Sequence, residues 1–396
     1  MTPAVPHHIK ETALKPIDFQ DRVARLASHC AELGLDAYVG TRVASLHWIN
    51  GAFMPWRGAV VVTASGQVQT IYWAMDASRV KQEGAGLPVS TFAGSGFVEA
   101  VADTLNHMGC GSGRLGLDLA HPGAAQVAPG MLTAQEYLDL AASLPNATLV
   151  NGVDAIDDLM LLKDAAELAR LRQAAEVAEA GFQAGLDAIR PGATENDIAG
   201  EIERAIRRNG STWAWAVTGG TEVGAGPRTA YLHGVSQQST DRPIGADEFL
   251  ILDIHTLIDL YMSDFALPVF FGTPTAEQSR MIDAWEGAID TLFATFRPGA
   301  KVSDCARAAH AYFEDKGFGD VGLPLFGHGL GTCARTRPFI NTASTDVVQQ
   351  GMVVALGCHL YVPGHGGMRL EYPAVVEANG LQPLGNWAPR VVRKSA

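Results

Sequence analysis

Two aspartates in neighbouring apolar segments are the residues of this chain best suited to chemistry. Asp253 follows the apolar run Phe249–Leu252, and Asp264 lies eleven residues later. Both segments have the apolar content of buried strands. A buried carboxylate is costly unless it is paired, hydrogen-bonded or bound to a metal. A hairpin between the two strands would bring both carboxylates to one cation, so this spacing predicts a metal site.

Two later segments add an imidazole and a third carboxylate to this series. His328 lies in the glycine-rich stretch Gly327–Gly331, and Glu371 closes the stretch Gly367–Glu371. Hard oxygen ligands together with an imidazole suit divalent Mn, Fe, Co or Zn. The series therefore predicts a catalytic site for a divalent metal, provided that the fold brings these distant segments together.

Composition excludes several classes of protein. The chain has 396 residues, 47% of them apolar, which is enough for two globular domains. Its net charge of −13 argues against nucleic acid or an anionic membrane as a partner. The five cysteines form no Cys-x-x-Cys pair, so no disulfide framework is predicted. Without a signal segment or a membrane-length apolar stretch, we expect a cytoplasmic protein.

The elements that must position these residues fall into two domains. Residues 1–155 alternate short helical and strand patterns, such as the buried strand at Arg57–Thr63, which is typical of an α/β domain. Residues 156–396 contain an internal repeat, in which a long helix ends at Arg190–Ala193 and another at Arg297–Ala300. Each copy continues as a second helix and then strands. We therefore expect two related α/β halves with a site at their pseudo-twofold centre.

Several short segments, in this order, resemble the family of creatinase, prolidase and aminopeptidase P, whose M24-like catalytic domain has the pita-bread fold. The resemblance covers most of the chain. The segments that carry it are Gly226–His233, the Asp253 and Asp264 strands, Gly327–Gly331 and Gly367–Glu371.

The resemblance implies both a fold and a chemistry. The fold would be α/β (α+β), with a smaller creatinase-like N-terminal domain before a pita-bread domain. The candidate catalytic residues would be His233, Glu371 and Asp264, with His233 stabilising an oxyanion or protonating the leaving nitrogen. The resemblance also implies a homodimer. The residues that would bind one or two divalent ions are Asp253, Asp264, His328 and Glu371.

The chain departs from the family pattern at two positions. Where relatives carry a metal-binding glutamate this chain has Gly357, and where they carry a second histidine it has Arg335. Loss of a carboxylate should weaken one metal position, so the centre would hold as few as one ion. His255 lies two residues after Asp253, on the same strand face, and is a candidate replacement ligand. His359 stands in the same relation to Gly357.

Four further residues are candidates for substrate binding. Arg335 would clamp a substrate carboxylate through its bidentate fork. Trp215, which alternates with Trp213 along the chain, would provide an aromatic wall for a cationic group. Trp56 and Arg57 would reach the site from the N-terminal domain of the same or a partner subunit, as in creatinase-like dimers. An ordinary structural role is the alternative for each of them.

The leading hypothesis is a hydrolase that uses a metal-activated water to cleave a C–N bond (amide, amidine or imino-peptide) of a small polar substrate. The two departures favour a non-peptide substrate over ordinary Xaa-Pro peptides. The alternatives are a metal-free creatinase-like hydrolase, a C–S lyase resembling the dimethylsulfoniopropionate lyase of this fold, an Xaa-Pro aminopeptidase or dipeptidase, and a non-catalytic pita-bread binding module. The retained ligand residues favour the metal-dependent hydrolase over the binding module.

Overall fold

Two compact units, Pro16–Leu162 and Lys163–Ala396, make up this computed structural model. Their boundary lies seven residues after the position that the change of sequence pattern indicated, because the helix Val153–Met160 belongs to the first unit. Within the described residues, no helix combines the length and the apolar character that crossing a membrane requires. The structure describes residues 14–54, 56–120, 130–212, 220–231 and 238–396.

The first unit is built on a mixed sheet. Its elements are α1 Phe19–Glu32, β1 Ala37–Gly40, α2 Val43–Asn50, β2 Gly58–Thr63, β3 Val68–Trp73, α3 Ala77–Glu83, β4 Val89–Phe92, α4 Phe97–His107, β5 Arg114–Leu117, α5 Ala134–Ser143, β6 Thr148–Asn151 and α6 Val153–Met160. The six strands lie in the order β4-β3-β2-β1-β5-β6. Val39, Val61 and Leu115 from the strands and Leu105 from α4 pack in one core. The sequence prediction of an α/β domain here is confirmed.

The second unit contains two helix pairs and a large sheet. Its elements are α7 Ala165–Ala188, α8 Glu195–Arg208, β7 Glu222–Ala225, a 3₁₀ turn Gly226–Ala230, β8 Glu248–Ile258, β9 Tyr261–Phe271, α9 Ala276–Thr295, α10 Val302–Asp315, β10 Leu325–Leu330, β11 Ala334–Asn341, β12 Val353–Val362, β13 Gly366–Glu377, β14 Gly380–Pro383 and β15 Val392–Lys394. Seven strands follow the order β11-β10-β12-β13-β9-β8-β7, with β14 pairing β13 and β15 pairing β9.

The repeat read from the sequence appears as two helix pairs, α7–α8 and α9–α10, each followed by strands. Thr194 caps α8 with its side chain, which accepts from the backbone N–H of Asp197. Both second helices end at a glycine with positive φ, Gly210 at 95° and Gly317 at 79°. Such a left-handed residue terminates a helix with little strain only when it is glycine. Local signals in the sequence thus set the ends of both pairs.

Small residues on α7 allow the helices to lie close to the strands that carry the acids. A Cβ atom on Gly185 would lie 2.8 Å from Cδ2 of Leu252, the residue before Asp253. On the same helix Phe182 packs edge-on against Phe265, the residue after Asp264, with ring centroids 5.5 Å apart. Close packing of this kind fixes side chains to within a fraction of an ångström. Helix α7 therefore packs against both β8 and β9, the strands that carry Asp253 and Asp264.

A two-residue turn sets the register of the β8–β9 hairpin. Asp259 and Leu260 both have positive φ, 43° and 70°, and Ile258 pairs with Tyr261 across them. Positive φ at both central residues is the mark of a type I′ turn, which suits the twist of two adjacent strands. Nε of Arg170 on α7 donates to the Asp259 carboxylate at 2.6 Å. This contact fixes the turn, and the turn in turn fixes the register of the residue pairs along the hairpin.

Candidate metal centre

One row of side chains crosses five strands of the large sheet. Residues directly opposite each other in antiparallel strands point to the same face. Asp253 on β8 lies opposite Glu222 on β7 and opposite Ala266 on β9. Ala266 in turn lies opposite Glu371 on β13, which pairs with Gly357 on β12. The row therefore brings three acids together and ends at a residue without a side chain.

Asp264 and two histidines lie beside this row. His255 pairs with Asp264 in the hairpin, and its Nε2 is 3.2 Å from Asp264 Oδ1 and 4.0 Å from Asp253 Oδ1. His328 on β10 places its Nε2 3.4 Å from Asp264 Oδ2. All four residues are buried. Asp264 on β9 and His328 on β10, which are 64 positions apart in the sequence, thus meet in one interior cluster.

Two sets of residues bring ligand atoms close enough to share an ion. Within each set, one oxygen or ring nitrogen of every member lies within 4.8 Å of those of the others. The first ligand group is Asp253, His255 and Asp264, and the second ligand group is Asp264, His328 and Glu371. Asp264 therefore belongs to both potential ion positions, with one oxygen toward each histidine.

Three carboxylate oxygens of the cluster have no hydrogen-bond partner among the described residues. They are Asp253 Oδ1, Asp264 Oδ1 and Glu371 Oε2, and all three are buried. Asp264 Oδ1 lies 3.2 Å from His255 Nε2 but outside hydrogen-bond geometry. A buried carboxylate oxygen without a donor is strongly unfavourable unless a cation completes it. These residues therefore fit a divalent metal ion.

Arg369 on β13 balances part of the acidic charge and orients one ligand. Its Nη1 donates to Asp253 Oδ2 at 2.6 Å and to Glu222 Oε2 at 2.7 Å. Its Nε donates to the hydroxyl of Tyr361 at 3.2 Å. A fully buried guanidinium needs such partners on several sides. By holding Oδ2 of Asp253, Arg369 turns the other oxygen of that carboxylate toward His255.

The acidic surroundings favour a proton on His255. Burial alone lowers the pKa of a histidine, but the charges of Asp264 and Asp253 outweigh it and raise the pKa of His255 to about 10. A cation is therefore favoured in the position between the two aspartates. A divalent ion that binds there competes with this proton, because a histidine must release it to become a ligand.

Glu371 and His359 have pKa values shifted in opposite directions. Burial and the neighbouring charge of Asp264 raise the pKa of Glu371 to about 8. Burial and the charge of Arg369 lower the pKa of His359 to about 4. A neutral carboxyl group and a neutral imidazole thus face each other, with His359 Nε2 3.3 Å from Glu371 Oε1. The carboxyl group of Glu371 can therefore donate a hydrogen bond to Nε2 of His359 while both groups stay neutral.

Backbone carbonyls fix two of the imidazole rings. Nδ1 of His255 donates to the carbonyl of Gly220 at 2.8 Å, and Nδ1 of His359 donates to that of Leu325 at 3.1 Å. Because a carbonyl oxygen only accepts, Nδ1 carries a proton in both rings and Nε2 faces the acids. Metal-binding histidines usually have this arrangement.

Arg335 lies next to the centre in an unusual backbone conformation. Its N–H donates to Nδ1 of His328 at 3.2 Å, and its φ is 62°. A non-glycine residue in the left-handed region is uncommon, and such residues occur often at functional sites. The partly buried guanidinium makes no hydrogen bond or ion pair with any residue that the structure describes. Among the residues that the structure describes, its guanidinium is therefore a candidate to bind an anionic ligand.

Arg57 is engaged within the first unit. Its Nε donates to Glu136 at 2.8 Å, and its guanidinium lies 4.7 Å from the ring centroid of Phe97. These contacts account for its charge without a substrate, so the structure gives no support to the predicted substrate role of Arg57. Trp56 is 52% exposed, with its ring centroid 5.9 Å from that of Trp73.

Three residues singled out from the sequence, His233, Trp213 and Trp215, lie outside the described residues. Conversely, sequence reasoning missed Glu222 and Tyr361, which surround Arg369. An available signal was the acid at the start of the apolar segment Glu222–Ala225, since an acid in a buried strand requires a partner.

Comparisons with known proteins agree with this architecture. The chain matches the model of metallopeptidase family M24 over residues 169–378. It matches the model of the Creatinase/Prolidase N-terminal domain over residues 22–159. An Xaa-Pro dipeptidase from Lactobacillus delbrueckii subsp. lactis is 28% identical over 254 residues, which is 64% of this chain and 68% of the relative.

Solved structures show the same fold at low identity. The prolidase from Pyrococcus horikoshii superimposes with a TM-score of 0.80 at 20% identity, over 94% of this chain and 100% of that one. The N-terminal domain of the FACT complex subunit SPT16 from chickpea superimposes with a TM-score of 0.72 at 15% identity, over 95% and 99%. Fold alone therefore does not select a function. The family match covers more than half of the chain, and with the acidic centre it shows that the protein belongs to metallopeptidase family M24, a family of hydrolases.

Proposed function

We propose that this protein is a metal-dependent hydrolase that cleaves a C–N bond of a small polar substrate and is not an ordinary Xaa-Pro peptidase. The observation that carries the metal requirement is the set of three buried carboxylate oxygens without a donor among the described residues. Within each ligand group these carboxylates lie close enough to share a cation, which would offset their mutual repulsion.

The two ligand groups define where an ion is held. Asp253, His255 and Asp264 offer two carboxylates and one imidazole, and His328 and Glu371 extend the set through Asp264. This mixture of ligands suits Mn, Fe, Co or Zn. When bound, such an ion activates a water molecule and polarises the scissile group.

Residues of the chain supply the proton transfers. Glu371 keeps one oxygen, Oε2, free of hydrogen bonds to the described residues, and in this proposal its carboxylate form, which a neighbouring cation would favour, takes a proton from the attacking water. Asp264 faces both His255 and His328, with its oxygens 3.2 Å and 3.4 Å from their Nε2 atoms. His233 is assigned the role of stabilising the oxyanion or protonating the leaving nitrogen on the family resemblance alone.

Arg335 determines the kind of substrate in this proposal. Its backbone N–H contacts His328, and its guanidinium, without a partner among the described residues, is suited to bind a carboxylate in a bidentate manner. Trp215 remains a candidate for contact with a cationic group, and Trp56 for contact across a homodimer. Light scattering tests the homodimer directly, since a monomer would remove any contribution of Trp56 from a partner subunit.

The relatives leave the peptidase question open to experiment. The Lactobacillus relative is an Xaa-Pro dipeptidase, which makes Xaa-Pro dipeptides the first substrates to test. Against that activity stand Gly357 and Arg335, which replace a metal-binding glutamate and a substrate-binding histidine of the family pattern. The replacements change the charge of the centre and the shape of the substrate site together, so we expect a different substrate.

Elemental analysis tests the metal requirement. Protein purified without added metal should contain at least one divalent ion per chain. Chelation should abolish turnover, and Mn²⁺, Fe²⁺, Co²⁺ or Zn²⁺ should restore it. Full turnover in metal-free protein would instead support creatinase-like catalysis without a metal.

A substrate panel tests the specificity. Xaa-Pro dipeptides, creatine, ectoine and dimethylsulfoniopropionate separate a peptidase, an amidine or amide hydrolase and a lyase. We expect hydrolysis of a non-peptide C–N substrate to exceed that of the dipeptides in kcat/KM. Xaa-Pro dipeptides as the best substrates would show that this is an ordinary peptidase despite its altered residues.

A further inference from the structure

His359 fills the space at the position where the centre departs from the family pattern. A Cβ atom built on Gly357 would lie 2.8 Å from Cε1 of His359 and 3.0 Å from the backbone nitrogen of Gly327. A side chain at residue 357 therefore cannot coexist with the imidazole in this position. His359 is only 3% exposed, so its ring occupies an interior volume and not a surface groove.

The imidazole of His359 is fixed on both sides. Its Nδ1 donates to the carbonyl of Leu325 at 3.1 Å, and its Nε2 lies 3.3 Å from Glu371 Oε1. The strand that carries it is held by Trp285, whose Nε1 donates to the carbonyl of Cys358 at 3.0 Å. One oxygen of Glu371 is thus engaged by His359. The second ligand group lacks the glutamate that the family pattern has at position 357. In addition, Oε1 of its remaining Glu371 already faces His359.

The first ligand group, by contrast, has carboxylate oxygens without hydrogen-bond partners among the described residues, and it includes His255 as an additional candidate ligand. Asp253 Oδ1 and Asp264 Oδ1 have no hydrogen-bond partner among the described residues, and Nε2 of His255 lies 4.0 Å and 3.2 Å from them. Ligand atoms bound about 2.0–2.2 Å from one ion lie about 3.0–3.5 Å apart. The three atoms therefore need only small movements to share an ion.

We propose that the centre holds one divalent ion, at the first ligand group, and that His359 closes the second ion position by occupying the space of the ligand absent at Gly357. This inference rests on the proposed function and specifies how its metal is bound. His328 and Glu371 are then free to contact the substrate and to carry a proton.

Counting ions tests the proposal independently of turnover. The protein is dialysed to equilibrium against Mn²⁺, the bound Mn is measured by elemental analysis, and electron paramagnetic resonance separates isolated from paired ions. We expect about one Mn²⁺ per wild-type chain with the spectrum of an isolated ion. Two ions per chain with a spin-coupled spectrum would overturn the inference.

Two histidine variants form a matched pair. His255→Gln should weaken Mn²⁺ binding at least about 100-fold, because it removes a ligand of the occupied position. His328→Gln should retain one ion per chain, because it alters only the closed position. The opposite result, with the ion lost in His328→Gln and retained in His255→Gln, would place the ion at the second ligand group and overturn the proposal.

A double substitution should reopen the second position. Gly357→Glu combined with His359→Gly supplies a carboxylate and removes the imidazole that blocks it, so we expect about two ions per chain and a spin-coupled spectrum. Gly357→Glu alone should stay at one ion, since the new side chain meets His359. A count of one in the double variant would show that His359 does not close the position.

If the double variant does not fold, the ion count of the wild type and the two histidine variants still decide whether the proposal holds. Wild-type protein that binds no ion would refute the proposed function as well, whereas two ions with full turnover would refute only this inference.

Discussion

The two units of the molecule each bury an arginine between two acids, yet they treat the carboxylate oxygens differently. In the first unit Arg42 lies 3.1 Å from Asp118 and 2.7 Å from Asp157. In the second, Arg369 lies 2.6 Å from Asp253 and 2.7 Å from Glu222. Burial and charge are alike in both clusters. What separates Asp118 from Asp253 is the number of donors that each carboxylate receives.

Asp118 is surrounded by donors. Its Oδ1 accepts from the hydroxyl of Tyr38 at 2.6 Å, and its Oδ2 accepts from Ser45 Oγ at 2.9 Å. The same Oδ2 accepts from the backbone N–H groups of Thr41 at 2.9 Å and Arg42 at 3.0 Å. A carboxylate whose lone pairs are all used stabilises the fold and has no capacity left for an ion. Asp118 is therefore a structural acid.

The acids of the second unit retain unused oxygens. Asp253 spends Oδ2 on Arg369 and leaves Oδ1 without a partner among the described residues, and Asp264 and Glu371 each leave one oxygen in the same state. Unsatisfied buried groups reduce stability, and they persist where function requires them. Free hydrogen-bonding capacity therefore distinguishes Asp253, Asp264 and Glu371 from Asp118, although all four are buried.

The strongest test of this distinction is Asp264→Asn, which changes one atom in the residue shared by both ligand groups. We expect loss of the bound ion and a fall in kcat/KM of at least about a thousandfold, roughly 4 kcal/mol. Elemental analysis and steady-state kinetics measure the two effects, and circular dichroism checks the fold. Retention of a full complement of ion would show that Asp264 is not a ligand.

The matched change in the first unit, Asp118→Asn, should have the opposite profile. It leaves the buried Arg42 partly uncompensated, so the free energy of unfolding of that unit should fall by about 3–5 kcal/mol. Hydrogen exchange followed by mass spectrometry reads β1 and β5 separately from the second unit. Metal content per folded chain should not change. A loss of ion in this variant would break the comparison between the two clusters.

Metal removal should loosen the second unit and leave the first unaffected. An ion present at about 100 times its Kd stabilises the form that binds it by about 2.7 kcal/mol. After chelation we therefore expect faster hydrogen exchange in β8, β9 and β13, which carry the acids, and unchanged exchange in β1 and β5. Equal loss of protection in both units would mean that the ion is not held where the unsatisfied oxygens are.

The hairpin shows how far local sequence predicts the centre. Two acids in apolar runs predicted two strands, and these form β8 and β9. The register depends on the turn at Asp259 and Leu260, whose positive φ values the sequence does not signal, since glycine is the usual residue in such turns. The sequence thus predicted that Asp253 and Asp264 lie close, but not that Asp264 pairs with His255.

Contacts between distant segments were beyond sequence reasoning for a physical reason. Arg369 reaches Glu222 across 147 residues, and Arg57 reaches Glu136 across 79. Such pairs depend on which strands become neighbours, and periodicity does not specify strand order. The sequence therefore left Arg57 as a candidate for substrate binding. For the same reason it could identify His359 as a possible ligand but not as the group that fills the space beside Gly357.

The presence or absence of a hydrogen-bond partner also separates two arginines, and substitutions of these arginines are expected to have the smallest effects. Arg57 is bound to Glu136 within the first unit, whereas Arg335 has no partner among the described residues. We expect Arg335→Lys to raise KM about tenfold for a substrate that bears a carboxylate, because a point charge replaces a bidentate fork, with little change in kcat. The amide of that substrate should bind equally to the wild type and the variant. Arg57→Lys should alter neither constant and should cost only about 1 kcal/mol of stability, since it weakens one partly exposed ion pair. A change in KM in Arg57→Lys without one in Arg335→Lys would reverse the roles assigned to the two arginines. It would also show that unused hydrogen-bonding capacity identifies metal ligands in this protein but not residues that contact the substrate.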